Sequence, residues 1–203
     1  MATYWLDLTF QSPDLLNTAL IDGHRHTLHY TLRTTKSLLG FRRITTITAA
    51  GGQEYLIDWG KRNFTIGGVQ RRIPDLKENV GFFSGRRKWN WNDNKPFHIK
   101  WHDSKSQLQA RGLGWKAIPQ FGQDQTHARV IFTPYKHEYF SRNVEATIRV
   151  PKTQDASERA FLIMALVYTE TLRQDAKRRK KKVWYMGGHM VYSVGHFLIT
   201  GGA

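Results

Sequence analysis

The sequence predicts a mainly β fold: a closed antiparallel β-barrel of about ten to twelve strands around one central apolar helix near the C-terminus. Three observations carry that prediction. Most of the chain is a succession of short segments in which apolar and polar residues alternate, separated by Gly, Asn and Asp turns. Aromatic residues make up 13% of the 203, with seven Trp, which favours pleated, half-buried surfaces over a plain helical bundle. Residues 160–168, AFLIMALVY, are apolar without interruption, and a helix apolar on every side is buried on every side.

Taken in order, residues 3–10 place Tyr4, Leu6, Leu8 and Phe10 on one face of a strand. Residues 25–35 do the same with His26, Leu28, Tyr30 and Leu32. The Thr- and Ile-rich stretch 41–49 reaches a Gly51-Gly52 turn and returns as 53–59. Residues 63–66 and 69–73 flank Gly67-Gly68, a two-residue hairpin signal. Short strands are then expected at 87–91, 97–102, 107–111, 114–118, 127–133 and 145–150. No internal repeat and no Pro- or Ser-rich linker divides the chain, so 1–182 is one domain.

The period then changes. Asp155-Ala156-Ser157-Glu158 has the form of a capping box, and a helix is predicted near 156–176. Its nine-residue apolar core rises about 14 Å at 1.5 Å per residue, far short of a bilayer's roughly 30 Å hydrocarbon layer. It is a buried element rather than a membrane span, and the inside of a closed sheet is its natural place. Residues 183–203 are set apart as an uncharged Gly-rich tail. Following six cations directly, that tail has the order of a C-terminal membrane anchor. Its glycines, His189 and His196 stand against an anchor and favour a docked strand or hairpin, with a disordered tail as the next alternative.

The net charge of +15, from 31 Lys+Arg against 16 Asp+Glu, attracts phosphate on nucleic acid or on anionic lipid. The absence of cysteine excludes disulfides, a thiolate nucleophile and a cysteine–zinc site, and fits a reducing compartment. The first residues lack a basic stretch followed by an apolar run, so a cytoplasmic or nuclear location is expected, with peripheral membrane association through the cations.

Other chemistries lack a pattern. His24, His26 and His29 are close in sequence, and His24 and His26 would share a strand face, but no third ligand is fixed beside them; no metal or other cofactor is expected. His98 and His102, four apart on a strand, do not stack as they would on a helix. There is no nucleophile elbow, Walker loop or dinucleotide fingerprint, and Glu54, Asp58, Asp103 and Glu145 are scattered, so no enzyme is expected. Arg86-Arg87-Lys88-Trp89-Asn90-Trp91 and Lys100-Trp101 mix cations with stacking surfaces, as single-stranded nucleic acid binding requires. The alternative is a strand whose Trp89 and Trp91, two apart, both face the core.

Beyond these patterns the chain resembles a family. The strand end Ile57-Asp58-Trp59, the Ile66-Gly67-Gly68 turn, the strand Arg87-Lys88-Trp89-Asn90-Trp91, and a final helix with Thr169, Glu170 and then Arg-rich sequence are similar to a fungal family of unknown function. That family is assigned to the tubby C-terminal-like superfamily, which also holds phospholipid scramblases and LURP-one-related proteins. The resemblance spans residues 19–182. Ser84-Gly85 stands where the family has Asp-Gly, and 183–203 has no counterpart. The resemblance implies a closed barrel of about twelve strands around the helix, and a non-enzymatic binding domain; tubby proteins bind phosphoinositides. Candidate contacts to anionic lipid head groups are Arg42, Arg43, Arg71, Arg72, Arg86, Arg87, Lys177, Arg178, Arg179, Lys180, Lys181 and Lys182. The alternatives are a nuclear, nucleic-acid-associated protein in which Trp89, Trp91 and Trp101 stack bases, and an interaction scaffold.

Overall fold

Strand after strand, alternation of period two becomes alternation of burial: β1 (Trp5–Phe10) sends Leu6, Leu8 and Phe10 inward and Trp5, Asp7 and Thr9 outward. The computed structural model describes residues 5–80, 86–91, 97–102, 114–119, 130–135, 144–152 and 155–195; at 79–80, 86–87, 97–102, 114–119, 151 and 180–195 it describes the backbone. Two compact units result, Met1–Val167 and Tyr168–Ala203.

In the first unit β1 is followed by β2 (Thr18–Asp22), β3 (Leu28–Lys36), β4 (Arg42–Ala49), β5 (Glu54–Asp58), β6 (Asn63–Ile66) and β7 (Val69–Arg72). A single helical turn, α1 (Ile73–Leu76), leads to β8 (Lys77–Val80), β9 (Arg86–Trp89), β10 (Phe97–His102), β11 (Gly114–Pro119), β12 (Val130–Thr133) and β13 (Thr147–Pro151). The thirteen strands among the described residues form one antiparallel sheet, in the order β7-β6-β5-β4-β3-β2-β1-β13-β12-β11-β10-β9-β8. The first and last strands pair in mid-sheet, from Trp5↔Pro151 to Thr9↔Thr147. Asp7 and Arg149 face each other there through a bidentate ion pair of 2.6 and 3.1 Å, which raises the Arg149 pKa. The sheet's edges are therefore β7 and β8, consecutive in the chain.

No ladder joins those edges among the described residues, but side chains near them meet. Phe64 on β6 stacks on Trp89 of β9, ring centroids 6.0 Å apart, although each strand lies second from its own edge. The α1 turn spans the same place: the Ile73 N–H donates to the Arg62 carbonyl, its Leu76 carbonyl accepts from the Asn90 N–H, and both apolar side chains are buried. Arg71 donates to the Trp91 carbonyl and lies over that ring.

Helix α2 (Ala156–Gly195) opens in the first unit. The Asp155 carboxylate caps it by accepting from the Ser157 N–H at 3.1 Å. From Ala160 to Val167 every residue is buried, as the unbroken apolar run requires. Phe161 touches Phe64, Trp89 and Trp91, so one helical residue reaches strands from both halves of the sheet order.

Several expectations need correction. Residues 25–27 belong to a turn, not a strand: Asp22 Oδ1 accepts from the His24 and Arg25 N–H groups, and His26 adopts φ 53°, which takes it off any strand face shared with His24. Strand β2 precedes that turn, unforeseen because its apolar triad Ala19-Leu20-Ile21 is short. The polar edge strand β8 was also unforeseen. Helix α2 does not end near 176 but continues through the second unit to Gly195, so 183–195 is helix rather than strand, hairpin or tail. Lys and Arg are good helix formers and no proline interrupts them. The strand expected at 107–111 and the last residues, 196–203, lie outside the described residues.

Candidate anion-binding rim

Antiparallel pairing carries the end of β3, the start of β4, the β5–β6 turn and the end of β7 to one end of the sheet. Ile44, Asp58, Asn63 and Arg72 are successive partners along one row. Around that row stand Lys36, Arg43, Lys61, Arg62 and Arg72, all exposed, and Arg42, half-buried. Two carboxylates share the rim. Asp58 is engaged with the Lys61 N–H at 2.9 Å, and Asp75 sits exposed on α1. With strands about 4.8 Å apart, Arg72 lies three strands and roughly 14 Å from the row position of Ile44. The cations thus form a broad rim and not one pocket that a single phosphate fills.

The interior beside this rim is closed by hydroxyls. Buried Thr45 shares a 2.7 Å hydrogen bond with Thr34 and accepts from Trp59 Nε1 at 2.8 Å, while the Thr34 hydroxyl donates to the Leu16 carbonyl at 2.9 Å. Arg42 lies 5.4 Å over the Trp59 ring, which orients its guanidinium. This network fixes the base of the β3–β4 hairpin. A register shift between Thr34 and Lys36 adds local twist just beyond it. At the tip, Ser37 N–H donates to the Phe41 carbonyl at 2.8 Å, Gly40 N–H to the Ser37 carbonyl at 2.9 Å, and Phe41 N–H to Ser37 Oγ at 3.2 Å. Gly40 has φ 77°, a conformation that favours glycine. The loop is well formed, yet Leu38 is fully exposed, Leu39 82% and Phe41 69% exposed.

Of the residues named from sequence, Arg42, Arg43 and Arg72 share this rim. Arg71 begins from the same strand but is committed to Trp91. Arg86 and Arg87 are not brought to it: they pair with Val80 and Asn79, at the end of β8 away from α1. The run 177–182 lies within α2 of the second unit, not at the helix end, so a favourable terminal dipole does not act on it. Successive helical residues turn by about 100°, so six consecutive cations encircle the axis instead of forming one face. Lys177, Arg178 and Arg179 are exposed. Lys36, Lys61 and Arg62 were missed from sequence; Lys36 ends β3, and the signal of Lys61 and Arg62 was position in a turn, where exposure is the rule.

The second unit also holds a buried carboxylate. Glu170 accepts from Arg173 at 2.7 and 2.6 Å and from Gln174 at 3.1 Å, two partners three and four residues on along the same helix.

Base stacking loses two of its three rings. Trp89 is 0% and Trp91 9% exposed, both against Phe161, as their spacing of two allowed. The Trp101 ring lies outside the described residues. His29 is half-buried, and burial pushes its pKa below the ordinary value against the pull of Asp22. Two backbone N–H groups, that of His24 foremost, hold the Asp22 carboxyl below its usual pKa. Among the described residues no group of three His, Cys, Asp or Glu is placed to hold a metal ion. Glu54 and Asp58 stand at opposite ends of β5, Glu145 is exposed before β13, and Asp103 lies outside the described residues.

Comparison with protein families, curated proteins and solved structures finds no match to this chain. Among the described residues no helix is long and apolar enough to cross a membrane.

Proposed function

We propose that the protein is a non-enzymatic binding domain of tubby-like architecture whose basic rim contacts anionic phospholipid head groups. In this reading the sheet is a barrel wrapped around the start of α2 and closed at β7 and β8 by side chains and the α1 turn instead of a backbone ladder. The Phe64–Trp89 stack and the joint contact of Phe64, Trp89 and Trp91 with Phe161 support the wrapping. A protein of the cytoplasm or nucleus would then meet a membrane peripherally.

The observation that carries the ligand class is the gathering of Lys36, Arg42, Arg43, Lys61, Arg62 and Arg72 at one end of adjacent strands, with Asp58 turned into its own loop. Spread over roughly 14 Å, these cations suit a surface of many phosphates better than a single small anion. Guanidinium groups supply charge-assisted, bidentate hydrogen bonds to phosphate oxygens. Burial of Trp89 and Trp91 leaves nucleic acid as the weaker reading.

Vesicle flotation tests the proposal. Binding is expected to vesicles containing phosphatidylserine or phosphoinositide, to fall as salt rises, and to weaken by at least about thirtyfold in Arg42→Glu/Arg43→Glu, since each cation near an anionic surface contributes about 1 kcal/mol and two are lost. Equal failure to bind neutral and phosphoinositide-containing vesicles at low salt would sink it.

A further inference from the structure

We infer that the β3–β4 hairpin tip, Leu38, Leu39 and Phe41, inserts into the acyl layer of an anionic bilayer while Lys36, Arg42 and Arg43 engage the phosphates behind it. The inference rests on the head-group reading above and deepens it, from electrostatic contact to anchored docking in one orientation.

Three features of the hairpin lead here. The first is the concentration of apolar exposure. Among the described residues the other exposed large apolar side chains are Leu28, Ile44, Val69 and Val144, none more than 52% exposed, whereas Leu38, Leu39 and Phe41 lie within four positions and exceed all of them. Isolated exposed apolar residues need no explanation, but a contiguous patch marks a contact surface. The exposure is not fraying, because three hydrogen bonds close the loop and the Thr34–Thr45–Trp59 network holds its base.

The second is the layering of charge. Lys36 and Arg42 are direct cross-strand partners, so both cations stand at one level below the tip. Arg43 follows, and the remaining rim cations lie at the same end of the sheet. Outward from the protein the order is cations, then apolar side chains. A bilayer's anionic leaflet presents the matching order, phosphates and then hydrocarbon. An apolar pocket in a protein partner has no requirement for a collar of cations on both flanks.

The third is reach. From the Lys36–Arg42 level the loop extends about two residues, roughly 7 Å at strand rise, within the roughly 5–10 Å depth at which interfacial elements bury their apolar faces. The tip is long enough to pass the phosphate plane and too short to cross a leaflet.

The chain contains no cysteine, so Leu39→Cys offers a single site for an environment-sensitive fluorophore. The labelled protein is mixed with vesicles of phosphatidylcholine alone or with added phosphatidylserine or phosphoinositide, some carrying spin labels at shallow acyl positions. In parallel, unlabelled Leu38→Ser/Leu39→Ser/Phe41→Ser is compared with wild type by flotation at physiological salt. Insertion predicts a blue-shifted label quenched by the acyl spin labels on anionic vesicles only, and at least tenfold weaker binding of the triple variant with an unchanged circular dichroism spectrum. Anionic vesicle binding with an aqueous label and an unaffected triple variant overturns insertion while leaving head-group contact standing, and the tip then serves a protein partner or none. Failure of wild type to bind any vesicle overturns both.

Discussion

Replacing Phe161 by alanine removes the side chain at which the helix and both ends of the sheet order meet. Phe161 is 1% exposed, with ring centroids 5.3 Å from Trp91, 6.1 Å from Phe64 and 6.2 Å from Trp89. A buried Phe→Ala change costs about 3–5 kcal/mol, and aromatic pairs add about 0.5–1.5 kcal/mol each beyond their area, so the upper end, about 5 kcal/mol, is expected. In a domain of this size each kcal/mol lowers Tm by about 2–4 °C, giving a drop of about 10–20 °C. Acrylamide should also reach Trp89 and Trp91 in the variant and not in wild type. The seam itself is tested by a double-mutant cycle between Phe64→Leu and Trp89→Phe, residues on strands that share no ladder. Coupling above about 0.5 kcal/mol in thermal or urea denaturation is expected if the sheet curls until its edges meet, because additivity holds within about 0.3–0.5 kcal/mol for sites not in contact. Additive effects, with Phe161→Ala costing under 1 kcal/mol, would refute the wrapped arrangement.

Gly67 and Gly68 both hold positive φ, 56° and 78°, at the β6–β7 hairpin; Gly68→Val should cost about 1–2 kcal/mol in denaturation whereas Gly67→Asn, a residue this turn type accepts, should be near neutral. Arg173→Met strips the buried Glu170 carboxylate of two hydrogen bonds and should cost about 3 kcal/mol in thermal denaturation, with Glu170→Met/Arg173→Met regaining at least half of that. Because burial lowers the folded-state pKa of His29 below 6.5, the unfolded chain binds its proton first; stability should be full above pH 6.5 and decline as pH falls below it. His29→Gln should flatten that decline in a Tm–pH series, and superimposable curves would refute it. For Asp22 the folded pKa lies below 3.8, so its contribution should persist above that value and vanish only as pH falls through the folded pKa; Asp22→Asn should flatten the acid limb.

How much was legible differs by feature. Alternation in β1 marked the strand and its inward residues, Thr and Ile content marked β4, the Gly51-Gly52 turn marked β5 as its return, and Gly67-Gly68 marked the hairpin, because each depends on a few neighbouring residues. The turn at Asp22 was legible in principle, because Asp22-Gly23 is an Asp-Gly turn signal, but the alternation of the residues after it reads as strand; that the carboxylate caps its own loop is visible only once the backbone has turned. The helix end escaped because a cation run satisfies a C-terminal dipole and helix propensity equally well. Half of the rim was missed for a similar reason. Lys61 and Arg62 are ordinary turn cations until antiparallel pairing brings them beside Arg43 and Arg72.

The hairpin tip marks the boundary between the two kinds of information. From sequence alone, Leu38, Leu39 and Phe41 are apolar residues beside a strand, indistinguishable in kind from Leu6 or Ile57. Composition, period and the unbroken apolar run at 160–168 were enough to determine a mainly β chain with a large antiparallel sheet and a buried helix, since those follow from local geometry and from keeping apolar surface out of water. Which apolar residues stay exposed, which cations share an end of the sheet, and which side chains near its two edges touch were decided by tertiary structure alone. Burial is a property of what surrounds a residue, and those surroundings come from parts of the chain far apart in sequence.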